Sequence, residues 1–151
     1  MSIKRDFLGM VKKNGLALKH IKRQSENICL EAVKQDGLAL QYVIEQTDNV
    51  CLEAVKQDGL ALRYVQNQTP EICLQAINKN PHSLAFVKAQ TLELCLMAVK
   101  HNGLTLKYVK HKTRRICLEA VKQNKLAMRY IDISADIIKP TLKKYKQLIS
   151  G

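Results

Sequence analysis

The stretch CLEAVKQDGLAL occurs as Cys29–Leu40 and again, unchanged, as Cys51–Leu62. Looser copies start at Cys73, Cys95 and Cys117, and Phe7 opens another in register, so the chain repeats every 22 residues. A period in this range marks stacked modules, each too small to bury a core alone. Counting from the cysteine column as slot 1, six units begin at Phe7, Cys29, Cys51, Cys73, Cys95 and Cys117 and align without a gap. Slot 2 is always Leu, slot 5 is Val or Ile, and slot 8 is Asn or Asp. Slot 14 is aromatic except in the first unit, which has His20.

Each unit reads as two short helices. Ser25, Thr47, Thr69, Thr91 and Thr113 at slot 19 are N-caps for the first, and Pro70 fits its first position, where a missing N–H costs nothing. Slots 22, 1, 2, 4 and 5 give that helix an apolar face, and slots 3, 6 and 7 a polar one. The break falls at Asp-Gly or Asn-Gly. Pro81 and Lys125 replace Gly at slot 9, and Pro cannot take positive φ, so slot 8 is the N-cap of the second helix and slot 9 its first residue. Slots 10, 11, 12, 14 and 15 face inward, with slot 11 kept small for close helix approach. A single continuous helix is the competing reading, because 22 is twice eleven. Its two halves would aim their apolar faces about 80° apart at about 100° per residue, so two helices with a sharp turn bury more.

The predicted fold is all-α, an α-solenoid of six helical hairpins plus a C-terminal capping helix. Residues 1–151 form a single repeat domain, with the cap over about 138–150. Pro140 ends the repeat, and Leu142, Tyr145, Leu148 and Ile149 give the last helix one apolar face opposite a lysine-rich one.

Composition narrows the partners. Apolar residues make up 46% and aromatics 5%, with no Trp, so the core is aliphatic. The net charge of +12 is uneven: residues 1–28 carry 7 basic and 2 acidic side chains, 29–94 carry 5 and 8, and 95–151 carry 13 and 3. Such basic ends favour anionic partners. No run reaches the roughly 18–20 apolar residues of a membrane span, and the N-terminal segment is no secretory signal. The expectation is a soluble, intracellular, cytoplasmic protein.

Chemistry is sparse. Equivalent slots of stacked helices lie about 10 Å apart, too far for a disulfide, which needs Cα atoms within about 7 Å. The five cysteines therefore read as a column of reduced, buried thiols. The histidines, His20, His82, His101 and His111, share no slot; His20 and His82 replace core residues and read as packed. No metal-ligand spacing and no Gly-rich phosphate loop occurs. Glu31–Lys34, Glu53–Lys56 and Glu119–Lys122 are helix pairs at i,i+3. Gln24, Gln46, Gln68 and Gln90 recur at slot 18, where an amide can close the inter-repeat turn. The reading is a non-enzymatic protein with no cofactor, no metal and no small-molecule ligand.

The pattern x-C-L-x-A-V-K-x-N/D-G-x-A-L-x-Y-V-x-x-Q-T, clearest over Cys51–Thr69 and Cys95–Thr113, resembles the repeats of the domain-of-unknown-function family numbered 4116. The resemblance runs from about Phe7 to Ile138; Pro81, His82 and the stretch after Ile131 depart from it. That family is met mainly in large DNA viruses and some microbes, which would place a viral copy in the host cell. The resemblance implies an all-helical repeat module and no activity.

Recognition in a solenoid falls to the slots that vary, here 13, 16, 17, 20 and 21. They hold a basic set, Lys19, Lys22 and Arg23 in the first unit, then Lys107, Lys110, Arg114 and Arg115 with Lys112 between them, and Arg129. This set is a candidate nucleic-acid backbone patch. Ile44, Ala85, Ala89, Leu92 and Met97 are apolar in slots that are polar in most units, and form a candidate protein-binding patch. The first expectation is an interaction scaffold docking a protein partner or its own copy. The alternative is nucleic-acid binding through the basic terminal repeats.

Overall fold

A computed structural model of the chain describes residues 6–131. The predicted capping helix lies outside them. The described residues form six α-helices: α1 (Phe7–Lys13), α2 (Glu26–Gln35), α3 (Asp48–Gln57), α4 (Pro70–Lys79), α5 (Leu92–His101) and α6 (Arg114–Gln123). They alternate with six 3-10 helices: η1 (Gly15–His20), η2 (Gly37–Tyr42), η3 (Gly59–Tyr64), η4 (Pro81–Phe86), η5 (Gly103–Tyr108) and η6 (Lys125–Tyr130). Among the described residues there is no strand. Each α-helix packs on the next α-helix and each 3-10 helix on the next 3-10 helix, giving the two-layered all-α solenoid that the repeat predicts.

Both caps fall where the sequence puts them. The slot-19 hydroxyls accept from the backbone three residues on, as Thr47 does from Val50 N at 3.3 Å. The slot-8 side chains accept from slot 10, as Asp58 Oδ1 does from Leu60 N at 2.9 Å. Asn80 does the same for His82 N, so Pro81 occupies the first turn without loss of a bond.

The second helix of each unit is 3-10 rather than α. Its bonds span three residues, as in Ala61 N to Asp58 O at 2.9 Å and Val65 N to Leu62 O at 3.2 Å. Three residues per turn eclipse every third side chain. Slots 9, 12 and 15 therefore line up and are buried together, as in Gly59, Leu62 and Val65. Slots 11 and 14 form a second row, and slots 10 and 13 the outermost. The leucines of slot 12, from Leu18 to Leu106, have no exposed surface, and each contributes about 1.5–3 kcal/mol by burial.

The glycine of slot 9 is explained by contact with the following unit. No described glycine has positive φ. A Cβ on Gly59 would lie 2.5 Å from the Ala76 carbonyl oxygen, and one on Gly37 equally close to that of Ala54. Where the next unit has Gln at slot 7 the slot-9 N–H also binds forward, as Gly15 does to Gln35, Gly37 to Gln57 Oε1 at 2.7 Å and Gly103 to Gln123. Replacing Gly by Ala in a helix normally stabilises by up to about 1 kcal/mol. Gly59→Ala should instead lower unfolding free energy by about 1–3 kcal/mol through overpacking, measured by urea denaturation.

Candidate functional site

The loop joining each 3-10 helix to the next α-helix, taken with the first two residues of that helix, covers slots 16–21, and successive loops so defined lie side by side along one edge. The slot-18 glutamine sets this edge. Gln46 Nε2 donates to the Tyr64 carbonyl of the next unit at 2.9 Å, and Gln46 Oε1 accepts from Gln66 N at 3.0 Å. Gln24 treats Tyr42 and Ile44 the same way, Gln68 treats Phe86 and Lys88, and Gln90 treats Tyr108 and Lys110. The amide thus closes the inter-repeat turn, as the sequence suggests, by reaching into the following repeat. In the fifth unit slot 18 is Lys112, and the series stops.

The cysteines belong to the same arrangement. All five are free and buried. Cys29, Cys51, Cys73 and Cys95 each place Sγ 3.5–3.8 Å from the Oε1 of the preceding glutamine. Burial raises the thiol pKa along the column, and for Cys51 burial followed by repulsion from Asp48 pushes it up to about 11. The neutral thiol is therefore the form that the fold holds.

Lysines at slot 16 turn back along the edge. Lys88 Nζ donates to the Gln66 carbonyl at 2.7 Å, and Lys110 Nζ to the Lys88 carbonyl at 3.0 Å. Neighbouring loops also meet through Thr47, whose hydroxyl donates to Glu26 Oε1 at 2.8 Å. Between loops lie grooves. One of about 560 Å³ separates the third and fourth loops, lined by Asn67, Pro70, Glu71, Leu74, Ala89 and Leu94 among others. A second of about 370 Å³ lies between the first and second loops, with Lys22, Arg23, Glu26, Ile44 and Glu45 on its walls.

The basic candidates divide into two groups. Lys22 and Arg23 line the small groove, whereas Lys110, Lys112, Arg114 and Arg115 crowd the fifth loop and the first turn of α6. All are exposed, as are Lys19, Lys107 and Arg129 on the 3-10 helices. None of these nine has a carboxylate within 4.0 Å among the described residues. Helices α2 to α5 each carry one acid in the first turn, which suits the positive helix end, while α6 carries Arg114 and Arg115 there. Lys107 lies 4.6 Å from the centroid of the Tyr108 ring. Its pKa is raised, first by a hydrogen bond to the Tyr108 side chain.

The apolar candidates are not one patch. Ile44, 62% exposed, and Ala89 stand in different grooves two units apart. Leu92, 45% exposed, opens α5. Met97 is half-buried and packs on the core. Ala85 lies on η4 in slot 13, where Arg63 of the preceding unit stacks its guanidinium 5.3 Å from both the Tyr64 and Phe86 rings.

Other readings are refined. His82 packs edge-on against Tyr108 with centroids 5.9 Å apart, but His20 is exposed at the start of the stack. Lys34–Glu31 and Lys56–Glu53 pair at 3.6 and 2.9 Å, and Lys12 adds a bond to Glu31 from the first unit. Glu119–Lys122 is not among the ion pairs of the described residues. No three metal-ligating side chains cluster among the described residues, and no described helix is long and apolar enough to cross a membrane.

The sequence profile of a family described as "Domain of unknown function (DUF4116)" matches residues 5–46, 47–89 and 91–134. The chain belongs to this family. Each DUF4116 match is about two 22-residue units long, and the three together cover every described residue except Gln90. No curated protein and no solved structure matches the chain.

The thiol column gives a prediction with a definite sign. The folded Cys51 pKa of about 11 exceeds the ordinary thiol value of 9.0, so between these pH values the native state holds more protons than the unfolded chain. Stability is then lost as pH rises from about 9 to about 11. Urea midpoints should fall across that window, more in wild type than in Cys51→Ala. At pH 8 a thiol reagent should modify the five cysteines only on unfolding.

Proposed function

We propose that this DUF4116 protein is a non-enzymatic interaction scaffold that docks protein on its loop edge. The observation supporting this is the division of labour in slots 16–21. The slot-18 amides fix the loop backbone, while the side chains beside them differ from unit to unit. A rigid frame with variable exposed side chains is how solenoids recognise partners. Around the larger groove these side chains are Pro70 and Ala89, beside the constant slot-2 Leu74, with Leu92 close by in sequence. Immobilised wild-type protein should retain protein partners that Ala89→Asp with Leu92→Asp loses by roughly tenfold or more, with unchanged circular dichroism. Equal retention would remove this edge from the reading.

A second reading is favoured by the cations of the fifth loop. Lys110, Lys112, Arg114 and Arg115 have no carboxylate partner among the described residues, and such a cluster suits phosphate. Contact would be to the nucleic-acid backbone, since no recognition-helix or RNA-module signature accompanies it. Fluorescence anisotropy at about 50 mM salt should then show binding that falls steeply as salt rises. Changing Lys110, Arg114 and Arg115 to Glu should flatten the log–log salt slope by about 3. Absence of binding at that salt would dismiss the reading.

A further inference from the structure

The loops along the edge carry a charge order that is complementary to itself when reversed. The second loop, Ile44–Asn49, holds Glu45 and Asp48 and no cation. The third, Gln66–Glu71, holds Glu71 alone. The fourth, Lys88–Glu93, carries one charge of each sign. The fifth, Lys110–Arg115, holds Lys110, Lys112, Arg114 and Arg115 and no acid. Midway between the acidic second loop and the basic fifth lies the larger groove, walled by the third and fourth loops.

We propose that this edge is the interface of a two-fold symmetric dimer of the chain, a proposal that rests on the scaffold reading and names its partner as a second copy. A two-fold axis crossing the strip at the groove lays the two edges antiparallel. It sets the second loop of each copy on the fifth loop of the other, and the third on the fourth. Glu45 and Asp48 then face Lys110, Lys112, Arg114 and Arg115 twice over, once on each side of the axis. At the centre Pro70, Leu74 and Ala89 of one copy meet the same residues of the other, and Glu71 faces Lys88. A parallel alignment would put like charge on like. A head-to-tail offset of three units would satisfy only one acid–base pairing and leave the other open, whereas a two-fold contact closes both.

The four loops span about 30 Å at about 10 Å per repeat. A strip about 12 Å wide then buries roughly 400 Å² per copy, which belongs to the small, reversible class of interface. Charge pairing at its ends makes the contact sensitive to salt, because the Debye length falls from about 20 Å at 20 mM to about 4 Å at 500 mM.

Sedimentation velocity on the nuclease-treated full chain, over about 10 μM to 1 mM, tests this at both salt concentrations. Wild type should pass from monomer to dimer at low salt and weaken roughly tenfold or more at high salt. Arg114→Glu with Arg115→Glu brings the fifth loop from +4 to zero, so that copy keeps only its acidic second loop, and Glu45→Lys with Asp48→Lys makes both loops basic. Each double variant alone should be monomeric, and an equal mixture of the two should restore the dimer. Unchanged circular dichroism melting of each variant shows that folding is retained, and restoration on mixing requires folded chains. A wild type monomeric throughout, variants that dimerise like wild type, or a mixture that stays monomeric would each overturn the proposal. The scaffold reading would survive any of these, since it stands on the separate capture difference of Ala89→Asp with Leu92→Asp. Oligonucleotide binding by a monomeric wild type, lost in the acidic variant and kept in the basic one, would instead assign the fifth loop to nucleic acid.

Discussion

One side-chain amide per unit fastens each loop to the next. A slot-18 glutamine supplies both a donor and an acceptor in a fixed plane, and the following repeat presents a carbonyl and an N–H two residues apart. Gln46, between Tyr64 O and Gln66 N, shows the fit at 2.9 and 3.0 Å. These backbone groups lie at the end of a 3-10 helix, where the chain turns outward and has no ladder partner. The carbonyl of each pair is half-buried, and leaving it unmet would cost up to about 1–3 kcal/mol, while the N–H lies at an exposed residue. The thiol at slot 1 sits against the same amide oxygen, and the slot-9 glycine lets the helices on the other layer close up. Loop, thiol column and glycine column are therefore consequences of one approach distance between repeats.

Much of this was legible in the residues. The period, the alternation of caps at slots 8 and 19, and Pro81 as a first helical residue led to the two-layered stack without any structure. The α-versus-3-10 distinction was not legible, because a six-residue segment such as Gly37–Tyr42 has too few turns to separate a period of 3.0 from 3.6. Burial of slots 9, 12 and 15 does separate them. Likewise Gly59 looks like a turn residue in sequence, and only the position of the Ala76 carbonyl reveals that it is a packing residue.

The candidate sites were harder to read, for a physical reason. Slot arithmetic tells which side chains are variable, not which are neighbours across a loop. Ile44 and Ala89 belong to one apolar class in sequence but to two grooves in space. Met97 occupies a polar slot yet packs on the core. Lys88 and Lys110 share their slot with the apolar Ile44, yet their ammonium groups reach back to carbonyls of preceding loops. Within the basic set only the fifth-loop cations are neighbours by sequence alone: four cations within six consecutive residues are close in any fold.

The glutamine bond also gives the stack a direction. Each amide makes its shortest bonds to the repeat that follows it, as Gln90 does to Tyr108 O at 2.9 Å and Lys110 N at 3.0 Å, so these bonds tie one unit to the next. At the start of the described array the His20 carbonyl and the Lys22 N–H have no glutamine among the described residues in front of them. At the other end, Lys112 offers a cation that can donate but cannot accept. The two ends are thus chemically distinct, as in a filament with a plus and a minus end. A further repeat could join in front by bringing its own glutamine, whereas the sixth unit stacks behind Lys112 without a slot-18 amide, α6 on α5 and η6 on η5.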